Sequence, residues 1–158
     1  MEASAKKILV LGLGNDIISD DAVGLFVARA VRERLGNALE VDVVDCCEMG
    51  LSLLDYIVGH KFLLVVDSVQ TGEAAPGTIH EVGEEDLKTL PGMSPHFLGV
   101  GEILVLGRTL GLPMPGVVKI FAIEVADAHT LCEQLTPELQ QALPGIVERA
   151  LQVVQAWR

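Results

Sequence analysis

Aromatic residues are scarce in this chain: four Phe, one Tyr and one Trp make up 4% of its 158 residues. The apolar half of the composition is instead carried by Val, Leu, Ile and Ala, the mixture of a parallel sheet buried on both faces. Basic residues are also few. Lys and Arg number 11 against 22 Asp and Glu, a net charge of −11, which argues against nucleic acid or an anionic membrane as partner, since both need a cationic surface. No apolar run approaches the roughly 20 residues of a membrane-spanning helix. The polar stretch Met1 to Lys7 has no basic-then-apolar leader pattern, so the cytoplasm is the expected location. Cysteine is limited to Cys46, Cys47 and Cys132, with no C-x-x-C pair. That excludes a disulfide framework and a structural zinc knuckle. Internal repeats, low-complexity tracts and linkers are absent, so residues 1–158 are read as one domain.

Hydrophobic patterning predicts strands over 8–13, 39–46, 62–66, 78–82 and 117–123, and helices over 21–35, 51–58, 96–110 and 137–157. Ser19 or Asp20 is the expected cap of the first helix, Gly36 its stop, and Pro144 a kink or break in the last. Residues 83–95 read as a loop with one helical turn. Strands alternating with helices imply an α/β fold, a three-layer α/β/α sandwich around a twisted, mostly parallel five-stranded sheet, with the 78–82 strand as an antiparallel edge. In such sheets ligands bind beyond the carboxyl ends of the strands, near a topological switch. The polar residues leaving the strands crowd that rim: Asn15 to Asp21, Asp45 to Gly50, Asp67-Ser68 and Glu124.

Gly12-Leu13-Gly14 begins like a dinucleotide-binding turn, but Ile17 stands where a third glycine belongs, and Asp16, Asp20 and Asp21 would repel a pyrophosphate. A nucleotide-binding oxidoreductase is therefore disfavoured. Of the adjacent acids Asp20 and Asp21 only one is needed as a helix cap, which leaves Asp21 to face the rim. Asp67 follows five apolar residues. His96, after Ser94-Pro95, falls at a helix start. Taken singly, each is also what a cap or turn requires. Together, two carboxylates and an imidazole form a nitrogen–oxygen donor set suited to nickel, zinc or iron, with positions left for water or substrate. No H-E-x-x-H motif is present. Cys46-Cys47 with a histidine base would make a cysteine hydrolase, but neighbouring acids raise a thiol pKa rather than activate it. Asp127 and His129 read as a solvated loop.

Several segments in this order resemble the hydrogenase maturation endopeptidases, over Lys7 to Trp157. They are Gly12-Leu13-Gly14-Asn15, Asp20-Asp21-Ala22-Val23-Gly24, Asp45 with Gly50, Val66-Asp67, Ala75-Pro76-Gly77, Ser94-Pro95-His96-Phe97-Leu98-Gly99 and Leu135-Thr136-Pro137. The resemblance implies metal ligands at Asp21, Asp67 and His96, which would also be the catalytic residues. Whether the metal activates water or Asp16 or Asp20 acts as general base is left open by the sequence. It implies that the metal is nickel supplied by the substrate, for which zinc or cadmium can substitute in crystals. The implied substrate and partner is the precursor of a nickel–iron hydrogenase large subunit, whose C-terminal extension is removed after nickel insertion by a monomeric enzyme. The alternative is a non-catalytic nickel chaperone or precursor-docking protein. One departure stands out: the family often carries Asp-Gly-Gly-Thr where this chain has Asp45-Cys46-Cys47-Glu48.

Overall fold

The computed structural model describes residues 7–48, 50–87 and 95–158, and for residues 95–98 the backbone alone. Five strands form one sheet: β1 (Ile8–Leu13), β2 (Val41–Cys46), β3 (Phe62–Val69), β4 (Ile79–Gly83) and β5 (Val117–Glu124). Their order is β2-β1-β3-β5-β4. All neighbours are parallel except β4, the antiparallel edge on β5. β4 pairs with the strand that follows it because β5 already occupies the outer side of β3.

Strand alternation sends side chains to two cores. Ile8, Val10, Leu64, Val66, Phe121 and Ile123 pack with α1 (Val23–Leu35) and α4 (Pro137–Trp157) on one face. Leu9, Leu11, Leu13, Leu63, Val65 and Ile120 pack with α2 (Ser52–Ile57) and α3 (Pro95–Thr109) on the other. The three-layer arrangement expected from the sequence is thus present, with apolar residues on both faces of the central strands.

Several element ends shift by one or two residues from the sequence reading, and three differences have a clear physical reason. β3 does not end at Val66: β5 runs beside it to Glu124, so the ladder carries Asp67, Ser68 and Val69 as well. The first helix does not start at Asp21 and is not capped by Ser19 or Asp20. A 3₁₀ turn, Ser19–Ala22, precedes α1, and the N-cap position, Ala22, makes no side-chain cap bond. Pro144 lies within α4 without ending it. Pro144 and Gln140 are both exposed, so the carbonyl deprived of a partner can reach water, while Leu139, Ile146, Val147 and Ala150 stay buried on the far side.

Candidate functional site

β3 pairs with β1 only as far as Val66, but with β5 as far as Val69. Asp67 and Ser68 therefore overhang the end of β1. The helix after β1 covers one face of the sheet and the helix after β3 covers the other, so this gap is the topological switch point where α/β folds place their ligands. Two glycines let α1 close over it. A Cβ on Gly24 would lie 2.3 Å from the carbonyl oxygens of both Leu13 and Val66, and one on Gly12 would lie 2.2 Å from the Gly24 carbonyl. The backbone of α1 thus rests directly on β1 and β3 and delivers the 3₁₀ turn with Asp21 to the overhang.

Asp67 is fully buried and accepts the Ser68 N–H at 2.7 Å. It sits on the α3 side of β3 by strand alternation, and Ser68 sits on the α1 side. The Ser68 hydroxyl donates to Asp21 Oδ1 at 2.9 Å. Asp21 and Asp67 are therefore both tied to Ser68, which lies 47 residues from Asp21 in sequence. His96 occupies the first turn of α3, on the Asp67 side of the sheet. Its side chain, like the whole of Ser94, lies outside the described residues. Among the described residues no cluster of three or more His, Cys, Asp or Glu side chains could hold a metal ion; of the three expected ligands, the side chain of His96 lies outside the described residues.

Asp20 goes elsewhere. It is fully buried, and its carboxylate accepts the N–H groups of Ala126 and Asp127 at 3.0 Å and that of Thr136 at 2.8 Å, together with the Thr136 hydroxyl. It caps α4 from outside: Thr136, at the N-cap position, makes no cap bond of its own and spends its hydroxyl on Asp20. The same two segments are stitched by backbone bonds from Ser19 N–H to Cys132 O and from Asp20 N–H to Asp127 O. Ser19 adopts φ 31°, the one non-glycine among the described residues with positive φ, and the tight turn it makes is the kind of local strain found beside functional groups.

Asp16 forms a two-pronged ion pair with Arg29, at 2.8 and 2.9 Å. The guanidinium hydrogen bond holds the Asp16 carboxyl below its ordinary range. Arg29 also donates from Nε to Asp45, which Arg32 joins at 2.5 Å. Burial pushes the Asp45 carboxyl up, but the two arginines outweigh it and the net direction is down. Cys46 ends β2 buried in the core beside Leu53; burial above all raises its thiol pKa, as suits packing rather than nucleophilic attack. Cys47 and Cys132 are exposed free thiols. On the other flank, buried Glu124 accepts the N–H groups of Thr71 and Gly72, the Thr71 hydroxyl and a bond with His80 at 3.0 Å. Burial pushes this carboxyl up, and those hydrogen bonds more than reverse the shift. Asp127 serves its own loop by accepting the His129 and Thr130 N–H groups, which together with the Thr130 hydroxyl hold it at about 2.

Two residues escaped sequence reasoning. Ser68 carries no signal beyond following Asp67. Thr136 could have been noticed as a Thr-Pro pair opening a helix, but not as the partner of Asp20.

Comparison with known proteins adds an independent line. The HycI hydrogenase maturation protease family model matches residues 25–153. The hydrogenase 2 maturation protease of Escherichia coli (strain K12) is 27% identical over 156 residues, covering 94% of this chain and 95% of that protein. The hydrogenase expression/formation protein HupD of Rhizobium leguminosarum bv. viciae is 27% identical, covering 97% and 76%. In fold, the chain is similar to the hydrogenase maturating endopeptidase HybD from E. coli, with a TM-score of 0.81 at 24% identity over 95% of this chain and 93% of the other. It is also similar to the [NiFe] hydrogenase maturation protease HybD from Thermococcus kodakarensis, with a TM-score of 0.71 at 22% identity over 93% and 98%.

Proposed function

This chain belongs to the hydrogenase maturation protease family, and on that premise we propose that it is a nickel-dependent endopeptidase. Its substrate is the precursor of a nickel–iron hydrogenase large subunit, from which it removes the C-terminal extension once nickel is in place. The observation that carries the reading is the meeting of Asp21 and Asp67 through Ser68 at the switch point, with α3 bringing His96 to the same side of the sheet as Asp67.

The donor set fits the ion. Two carboxylates and an imidazole are borderline-to-hard ligands that nickel accepts, and Asp21 Oδ2 has no protein partner among the described residues. Nickel arrives as part of the substrate, already held by the precursor. When docked it would polarise a carbonyl or a water at the cleavage point. Asp21 and Asp67 orient the incoming site and supply the negative charge that selects a loaded precursor over an empty one. Asp16 and Asp20 belong to the framework rather than to proton transfer: a carboxylate held down by a guanidinium is a weak base at neutral pH, and the oxygens of Asp20 are already taken by N–H and O–H donors. The cytoplasm and a monomeric state suit such an enzyme.

The test is cleavage of purified precursor, followed by mass spectrometry, with and without nickel. Asp21→Ala, Asp67→Ala and His96→Ala are expected to lose several kcal/mol of transition-state stabilisation, whereas Asp16→Ala keeps most of its activity. Full processing by all three ligand variants would refute the assignment. A wild-type protein that binds nickel and precursor but leaves the extension intact would be a chaperone or docking protein instead.

A further inference from the structure

We propose that Ser68 is the positioning residue of this site, a single residue that sets Asp67 through its backbone and Asp21 through its hydroxyl for the incoming cation; this rests on the assignment of Asp21 and Asp67 as ligands. Ser68 is 3% exposed and sits on the β3 overhang. Its N–H donates to Asp67 Oδ1 at 2.7 Å and its hydroxyl to Asp21 Oδ1 at 2.9 Å. The two bonds differ in kind. The first comes from the backbone and survives any substitution except proline. The second depends wholly on the side chain.

Asp21 needs that second bond. It lies on a 3₁₀ turn rather than in a helix or strand, is half-buried, and has the Ser68 hydroxyl as its side-chain donor among the described residues. A carboxylate can swing about its last torsion, which has broad minima. A donor on Oδ1 fixes the plane of the group and presents Oδ2 to the gap. Partners that orient a ligand in this way typically account for about 10–100-fold in metal affinity. Val66, Ile123 and Val23 around this end of the sheet are apolar and buried, and none of them offers a replacement donor.

The experiment uses the full chain with Ser68→Ala, Ser68→Thr, Asp21→Ala and Asp67→Ala. Affinity is measured by calorimetry for nickel(II) and for nickel-loaded precursor, and cobalt(II) absorption spectra report ligand geometry. Thermal unfolding is followed in parallel. Ser68→Ala is expected to weaken binding about 10–100-fold and to alter the cobalt spectrum, and Ser68→Thr to restore both. Wild-type binding in Ser68→Ala, alongside loss in Asp21→Ala, would overturn the role of Ser68 and leave the ligands standing. A loss in Ser68→Ala that tracks lowered thermal stability and is not restored by threonine would overturn it too, as a packing effect. Undiminished binding in both aspartate variants, or none in the wild type, would remove the ligand assignment and the role of Ser68 with it.

Discussion

Asp20 and Asp21 are chemically identical neighbours with opposite fates. Asp20 is sealed inside, with donors from three backbone positions on its oxygens, and Asp21 faces the gap at the strand ends. Removing the Asp20 carboxylate leaves those N–H groups without acceptors, and each buried orphan costs about 1–3 kcal/mol. Asp20→Ala is therefore expected to destabilise the protein by about 3 kcal/mol or more, seen as a lowered urea midpoint, with Asp20→Asn in between. Asp16→Ala, which breaks an ion pair whose acid is 53% exposed, should stay within about 1 kcal/mol of wild type. A midpoint for Asp20→Ala equal to that of Asp16→Ala would contradict the clamp. The sequence suggested that one of the two acids serves as a cap, at the helix that follows it; Asp20 is indeed structural, but it serves the 126–136 segment instead of α1. The sequence could not reveal what Asp20 holds, because those partners lie 106 to 116 residues away and leave no local pattern.

At the level of elements, the decisive feature is the contact of α1 with β1 and β3 at Gly24. Gly24→Ala would drive a methyl into two carbonyl oxygens of the sheet, neither of which can yield without breaking ladder bonds. The expected cost is about 1–3 kcal/mol of overpacking, together with loss of precursor processing, because Asp21 moves with the start of α1. Gly36→Ala is the control: it has φ 58° but nothing within 4 Å, so its cost of about 1–3 kcal/mol is backbone strain alone, far from the site, and processing by the folded protein should be unaffected. Equal effects of the two substitutions on processing would show that the close approach does not place the site. The five strands and four helices were legible because their periodicity is local, and Pro137–Trp157 was found with both ends correct. The overhang of β3 was not, because Asp67 and Ser68 are polar residues kept in a strand only by the neighbouring β5. The same overhang explains why Asp67 suggested a turn yet lies fully buried.

Over the whole molecule, acids outnumber bases two to one, yet several acids are held in the ionised form by the fold. Asp16, Asp45 and Glu124 all have folded pKa values below their ordinary ones of 3.8, 3.8 and 4.5. Folding therefore favours the carboxylate over the carboxylic acid. The resulting stability is complete above those ordinary values and disappears as pH falls through the lower, folded ones. Melting temperature should be nearly flat around neutrality and drop below about pH 4. Glu124→Gln, which removes the buried member, should lower it at neutral pH and flatten the acid drop; an unchanged acid profile would mean that Glu124 does not carry the dependence. Asp16, being exposed, contributes little to either.

The placement of β5 inside the sheet, between β3 and β4, also dictates the order in which the chain can be completed during synthesis. After β4 has been made, residues 84–116 must still be added before its ladder partner, β5, begins. Asp20, made early, likewise waits for residues 126 to 136 before its donors appear. A nascent chain can stack β1, β2 and β3 while its chemistry is still unassembled, so the protease matures only when nearly all of it has left the tunnel.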